Sequence, residues 1–179
     1  MSTAGPHGDA PAAARAPGLA DQLRAAVRPR EEGRPEEARE LLVPLCAAHP
    51  EDAEPAYQTA WAHDVLGLEA EAVPHYRRAL ALPGLTSADR RGALLGLGST
   101  YRVLGRAEEA VATLSGGVRE FPDDAALRAF LSMALYSAGR PKEALELALI
   151  LVAETSADPG VAAYGPAIRH YARDLDALS

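Results

Sequence analysis

The sequence is short of the residues on which most small-site chemistry depends. It has one cysteine, Cys46, so an internal disulfide is impossible and a cysteine-based zinc site is not available. It has one lysine, Lys142; the other basic side chains are arginines, which reads first as a compositional bias. Aromatic residues make up only 5% of a chain that is 48% hydrophobic. A core must therefore come from Ala, Leu and Val, and small or unbranched side chains favour closely packed helices. Runs rich in Val, Ile and Thr at period two are missing, so strands are not expected. No apolar run approaches the ~20 residues of a membrane span. The most apolar stretch, Ala144 to Ala153, is broken by Glu146.

Positive charge is also scarce. The formal net charge is −7, and such a chain is repelled by phosphate backbones. General nucleic-acid binding and attachment to anionic membranes are not expected. The segment Met1-Ser2-Thr3-Ala4-Gly5-Pro6 has neither a basic start nor an apolar core, so no signal peptide is expected and a cytoplasmic location is.

What is present is Ala, Gly, Pro and Glu in two arrangements. Residues 1–17 are almost wholly Ala, Pro, Gly and Ser, can bury little, and are expected to be disordered. From residue 18 onward a pattern recurs: a Gly, three residues, then Glu and Ala. Its copies are Gly33-Arg34-Pro35-Glu36-Glu37-Ala38, Gly67-Leu68-Glu69-Ala70-Glu71-Ala72, Gly105-Arg106-Ala107-Glu108-Glu109-Ala110 and Gly139-Arg140-Pro141-Lys142-Glu143-Ala144. The glycines are 34, 38 and 34 residues apart, and self-similarity at this period marks a solenoid. Gly can end a helix in the left-handed conformation, and Glu just after it favours a new helix start. Each copy thus reads as a tight turn between two helices. The extra four residues fall near Pro83 to Ser87, as a longer turn or an added helical turn from Thr86 or Ser87. Asp158-Pro159 opens a terminal helix whose stripe would be Tyr164, Ile168, Tyr171, Leu175 and Leu178.

Residues 91–122 carry Leu97-Gly98, Tyr101, Gly105, Ala110, Leu114 and Pro122; residues 53–83 carry Trp61, Gly67, Ala72, Tyr76, Ala79 and Pro83. In these residues the chain resembles the tetratricopeptide repeat family, and similar signatures run from about 19 to 155. The resemblance implies an all-α solenoid of about four helix–turn–helix repeats, near 19–52, 53–88, 89–124 and 125–157. A capping helix follows at 158–178, within one domain over 18–179. The first repeat departs most. Pro29 and Pro44 interrupt its helices, which should be short or kinked.

Several stretches imitate catalytic motifs. Gly92 to Thr100 looks like a phosphate loop but lacks the Lys and the preceding strand; Gly92, Gly96 and Ser99 read better as a packing face. Gly98 is expected to meet Ala110 at the crossing of its two helices. His63-Asp64 could be a base with its orienting carboxylate, but neighbours on a helix point ~100° apart, so a packed histidine is the plainer reading. Cys46 and His49 could form a nucleophile–base pair, though no oxyanion or metal constellation accompanies them. Arg77, Arg78, Arg90 and Arg91 form either a basic patch or solvated pairs with Glu69, Glu71 and Asp89.

The resemblance further implies that the first helix of each repeat lines a concave groove. In register its floor carries Tyr57, Trp61 and Asp64, then Leu95, Ser99 and Arg102, then Ala129, Met133 and Tyr136, with Arg30 before them. Asp64 would lie between Arg30 and Arg102 and pair with Arg102. Trp, Tyr and Arg are enriched at binding hot spots. Tyr57, Trp61, Asp64, Ser99, Arg102, Met133 and Tyr136 are therefore the candidate partner-binding residues. The function expected is a non-enzymatic scaffold holding a protein or peptide segment, with no cofactor or metal. The alternatives are self-association, as a homodimer through the terminal helix, or an enzyme using His63/Asp64 or Cys46.

Overall fold

The computed structural model describes residues 18–176. Among them are nine helices and no strand: α1 (Leu19–Glu31), α2 (Pro35–Ala48), α3 (Ala53–Asp64), α4 (Glu69–Ala81), α5 (Ser87–Val103), α6 (Ala107–Glu120), α7 (Ala125–Ser137), α8 (Pro141–Thr155) and α9 (Pro159–Ala172). The N-terminal segment expected to be disordered, and Leu178, lie outside the described residues.

The four repeated glycines do one job. Gly33, Gly67, Gly105 and Gly139 have φ between 70° and 80°, where a side chain would be strained. At each, the next residue's N–H reaches back five residues: Arg34 to Pro29, Leu68 to His63, Arg106 to Tyr101 and Arg140 to Leu135, at 2.8–3.0 Å. These bonds satisfy helix-end carbonyls and reverse the chain. The next helix starts two residues after the glycine. The 38-residue spacing is absorbed by α5, which is 17 residues long and capped by the Thr86 hydroxyl, 3.0 Å from the Asp89 N–H.

Pro29 and Pro44 do not shorten the first repeat. They lie inside α1 and α2, which run 13 and 14 residues, as long as their counterparts. Each proline removes one backbone donor, but packing of Leu23, Ala26, Ala38 and Leu42 against Ala62 holds both helices.

Consecutive helices pack together along the whole chain. Odd-numbered helices also approach one another, α1 on α3, α3 on α5 and α5 on α7, whereas the even-numbered helices have no such close backbone approach. An inner layer packed more tightly than the outer one curves the stack, so the odd helices line its concave side.

Small residues set the spacing. A side chain on Gly98 would run into Leu114, so the close partner across that crossing is Leu114, one turn beyond the expected Ala110. Ala110 is itself fully buried. Gly92 and Gly96, also in α5, make room for rings rather than for a neighbouring backbone. A Cβ on Gly92 would meet the Tyr57 hydroxyl, and one on Gly96 the Tyr76 hydroxyl.

The terminal helix differs from its expected form in two respects. It ends at Ala172, before Asp174 and Asp176, whose charges are unfavourable at a helix C-terminus. Its packed face is also rotated. Gly165 and Ala172 are buried, with Val161 and Ile168 partly so, and Gly165 lies against the Ala153 carbonyl of α8. Tyr164 and Tyr171 are 71% and 67% exposed. Small residues let α9 sit closer to α8 than a tyrosine stripe would.

Candidate functional site

All the candidate residues but Ser99 line one of two cavities. The first lies between α3 and α5, measures about 240 Å³, and is lined by Tyr57, Trp61, Asp64, Tyr76, Gly92, Leu95 and Gly96. The second, about 460 Å³, is bounded by Arg102, Ser132, Met133, Tyr136, Ser137, Pro141, Ala144 and Leu145. Tyr57, Trp61 and Asp64 therefore share one site, and Arg102, Met133 and Tyr136 another. Ser99 is half-buried and lines neither.

In the first cavity, Tyr57 and Trp61 have ring centroids 5.9 Å apart, and Tyr57 and Tyr76 have theirs 6.4 Å apart. Tyr57 is buried, while Trp61 is 41% exposed. Asp64 sits at the end of this aromatic wall. The Tyr76 hydroxyl donates to one carboxylate oxygen at 3.1 Å, and the Thr100 hydroxyl is 3.0 Å from the other. Thr100 is also 2.8 Å from the Gly96 carbonyl, so its single proton serves two acceptors. Burial raises the Asp64 carboxyl above the ordinary carboxylate value; bonds from Thr100 and Tyr76 oppose this, and Glu69 adds to it. Burial and the neighbouring carboxylate hold the Tyr76 hydroxyl far above the usual phenol value, so it remains a donor.

The expected pairing of Asp64 with Arg102 does not form. Asp64 is served by hydroxyls, and Arg30, the other arginine of the row, is tied elsewhere. Its guanidinium bonds the Gln58 side-chain oxygen at 2.8 Å and the Gln58 carbonyl at 3.3 Å, and lies 3.8 Å over the Trp61 ring. The Nε of Arg102 is buried with no hydrogen-bond partner.

The catalytic lookalikes come apart. His63 is buried, its Nδ1 donates to the Thr59 carbonyl at 2.8 Å, and its ring stacks on His75 at 5.3 Å. Asp64, turned to Tyr76 and Thr100, does not orient it. Cys46 is 2% exposed and meets His75, at 3.8 Å, instead of His49, which pairs with Asp52 at 3.4 Å. Arg78 lies 3.0 Å from the Cys46 sulfur and 2.9 Å from its carbonyl. Burial, with His63 and Arg78 adding to it, keeps His75 below the ordinary histidine value. Two of the arginines flanking the long turn pair forward with the next turn, Arg90 with Glu120 at 2.6 Å and Arg91 with Asp124 at 3.3 Å. Glu69, Glu71 and Asp89 are not their partners. No group of three metal-ligating side chains is found among the described residues.

Tyr76, Thr100, Gly92 and Gly96 were not picked out as site residues from sequence. Tyr76 and Thr100 stand at helix positions that periodicity marks as core. The signal that was available is the register itself, which puts a hydroxyl on each side of Asp64 at this one junction.

Paired antiparallel helices, left-handed glycine turns and a concave inner layer define a helical-repeat solenoid. A profile described as Tetratrico peptide repeat matches residues 53–175, and the chain belongs to that family. No curated protein matches it. Several solved structures share its fold. That of MamA protein is 19% identical, with a TM-score of 0.67, over 75% of this chain and 71% of that one. YrrB, described as a TPR protein with an unusual peptide-binding site, is 17% identical with a TM-score of 0.67, over 83% and 74%. PilF of Pseudomonas aeruginosa is 18% identical with a TM-score of 0.63, over 87% and 69%. At these identities the likeness is one of fold.

Proposed function

We propose that this chain is a scaffold that holds an extended segment of a protein partner along its concave face. Tyr57, Trp61, Asp64, Ser99, Arg102, Met133 and Tyr136 form the contact row, on a repeat domain over 18–179. The observation that carries this reading is the exposure of large side chains on the inner layer. Trp61, Met133 and Tyr136 are 41%, 39% and 71% exposed beside two cavities, on a chain with few aromatics. Such residues at a concave surface suit anchoring contacts. YrrB, of like fold, is described as having a peptide-binding site, which agrees with this use of the fold. Fold alone does not assign a function.

The test is affinity capture from the native lysate with wild type and with Trp61→Ala combined with Arg102→Ala. A partner retained by the first and lost by the second supports the groove. An identical partner set on both excludes it. No helix among the described residues is long and apolar enough to cross a membrane, and we place the scaffold in the cytoplasm. Cell fractionation that finds it elsewhere refutes that placement.

A second reading is self-association through α9, favoured by the exposure of Tyr164 and Tyr171 on its outer face. Sedimentation decides it. A dimer that dissociates on Tyr164→Ser with Tyr171→Ser supports this reading, and a monomer at all concentrations removes it.

A further inference from the structure

We infer that the cavity between α3 and α5 receives a cationic side chain, the ammonium of a lysine or the guanidinium of an arginine, from the partner segment. This rests on the groove reading and names the chemistry of one of its subsites.

The cavity is small, about 240 Å³, which suits one side-chain end rather than a length of backbone. Its wall is aromatic, from Tyr57, Trp61 and Tyr76, and its polar end is the Asp64 carboxylate. A ring face attracts a cation through its quadrupole, and a carboxylate attracts it by charge and by accepting N–H bonds. Both features converge on the same space.

Asp64 is also short of donors. Tyr76 gives it one bond, and the Thr100 proton is contested by the Gly96 carbonyl. A half-buried carboxylate with one assured donor has lone pairs left for a ligand's N–H groups. Arg30 does not serve it, because its fork is held by Gln58. Arg30 nevertheless shows the chemistry at work: its guanidinium already covers one part of Trp61, which stays 41% exposed. Charges of both signs surround it. Glu69 acts on Asp64, and Asp89 acts on Tyr57 and on Glu54, while Arg30 acts on Tyr57 and Tyr76 from the Trp61 side. The carboxylate end, on a chain of net charge −7, draws cations and repels acidic segments.

Trp61 is the chain's one tryptophan, so its emission reads the cavity directly. The full chain is titrated with blocked pentapeptides of sequence Gly-Ala-Xaa-Ala-Gly, with Xaa lysine, arginine, norleucine or glutamate. A saturable change in Trp61 emission is expected for lysine or arginine, with the comparison of the two showing which head group fits. The preferred cation should bind at least about tenfold more tightly than norleucine. Asp64→Asn, checked for an unchanged helical spectrum, should erase that preference. Equal binding of norleucine and the cations by the wild type overturns the inference while leaving an apolar groove intact. So does a cation preference that survives Asp64→Asn. No response from any peptide also overturns it. The groove reading then stands or falls separately, on whether a captured partner is lost with Trp61→Ala.

Discussion

Asp64 and Arg102 occupy the same register in consecutive repeats, yet one is embedded in a polar network and the other is not. The step from Gly67 to Gly105 is 38 residues and carries Asp64 onto Arg102 and Tyr76 onto Leu114. The next step, 34 residues, carries Thr100 onto Ala134 and Gly96 onto Phe130. At the α3/α5 junction the central charge is met by two hydroxyls, and Gly96 makes room for that of Tyr76. At the α5/α7 junction the equivalent positions are apolar, and the Arg102 Nε is left without a partner. A repeat scaffold keeps its backbone spacing through its glycines and alanines. The groove-facing and contacting residues are free to differ, and they give neighbouring junctions opposite chemistry.

The largest expected effect comes from filling the space that the network needs. Gly96→Leu would collide with the Tyr76 hydroxyl, overpack the junction and separate Tyr76 from Asp64. A loss of ~1–3 kcal/mol or more is expected in thermal melts, from overpacking alone. Phe130→Leu, at the matching place in α7, should be far milder. Equal losses at the two sites would erase the distinction between the junctions.

Tyr76→Phe removes the assured donor to Asp64 and should cost ~1–3 kcal/mol at neutral pH. The loss should be pH-dependent. Asp64 has a raised carboxyl pKa in the fold, so the folded chain binds that proton more tightly than the unfolded chain. Its ionised form is the destabilised one, and the group's contribution improves as pH falls through the folded pKa to the ordinary carboxylate value. The Tyr76 bond holds the Asp64 carboxyl down, so its loss raises that carboxyl further in the variant, and the gap between Tyr76→Phe and wild type should narrow as pH falls from the variant's folded pKa through that of the wild type. Denaturant melts at several pH values measure it, and a constant gap would mean that Tyr76 acts only by packing.

Arg30→Ala gives up the Gln58 bonds and the contact over Trp61. About 0.5–1 kcal/mol is expected for the cation–ring part, together with a change in Trp61 emission. The smallest effect should be that of Arg102→Met. With its Nε unpartnered, the side chain gives little to the fold, and the melting curve should move by no more than ~0.5 kcal/mol. A large loss there would reveal that Arg102 holds α5, α7 and α8 together, and the two junctions would then be equally structural.

Much of the fold was legible because its signals are local. Gly33, Gly67, Gly105 and Gly139 need only their own φ to turn the chain, and the acidic residues after them need only the next helix start. Pro29 and Pro44 do not shorten their helices, because a helix-breaking preference is also local, while the helices are held by packing against α3. The terminal stripe misled. Tyr164-Ile168-Tyr171 and Val161-Gly165-Ile168-Ala172 both fit a helical period, and closeness to α8 selects the smaller set. In the groove, periodicity placed Tyr57, Trp61 and Asp64 together but chose the wrong partner for Asp64. It counted charges along the row and had no view of hydroxyls reaching in from α4 and α5.

The sequence by itself determined a helical-repeat chain: the period, the turns and the all-helical composition. These follow from backbone conformation and from apolar spacing within one helix, which a linear pattern carries. Only the tertiary structure decided that Asp64 answers to Tyr76 and Thr100, that Arg30 lies on Trp61, that Cys46 meets His75, and that Arg102 stands unpaired. Those outcomes depend on side chains from different helices competing for the same few ångströms, where distance and burial set which contact wins.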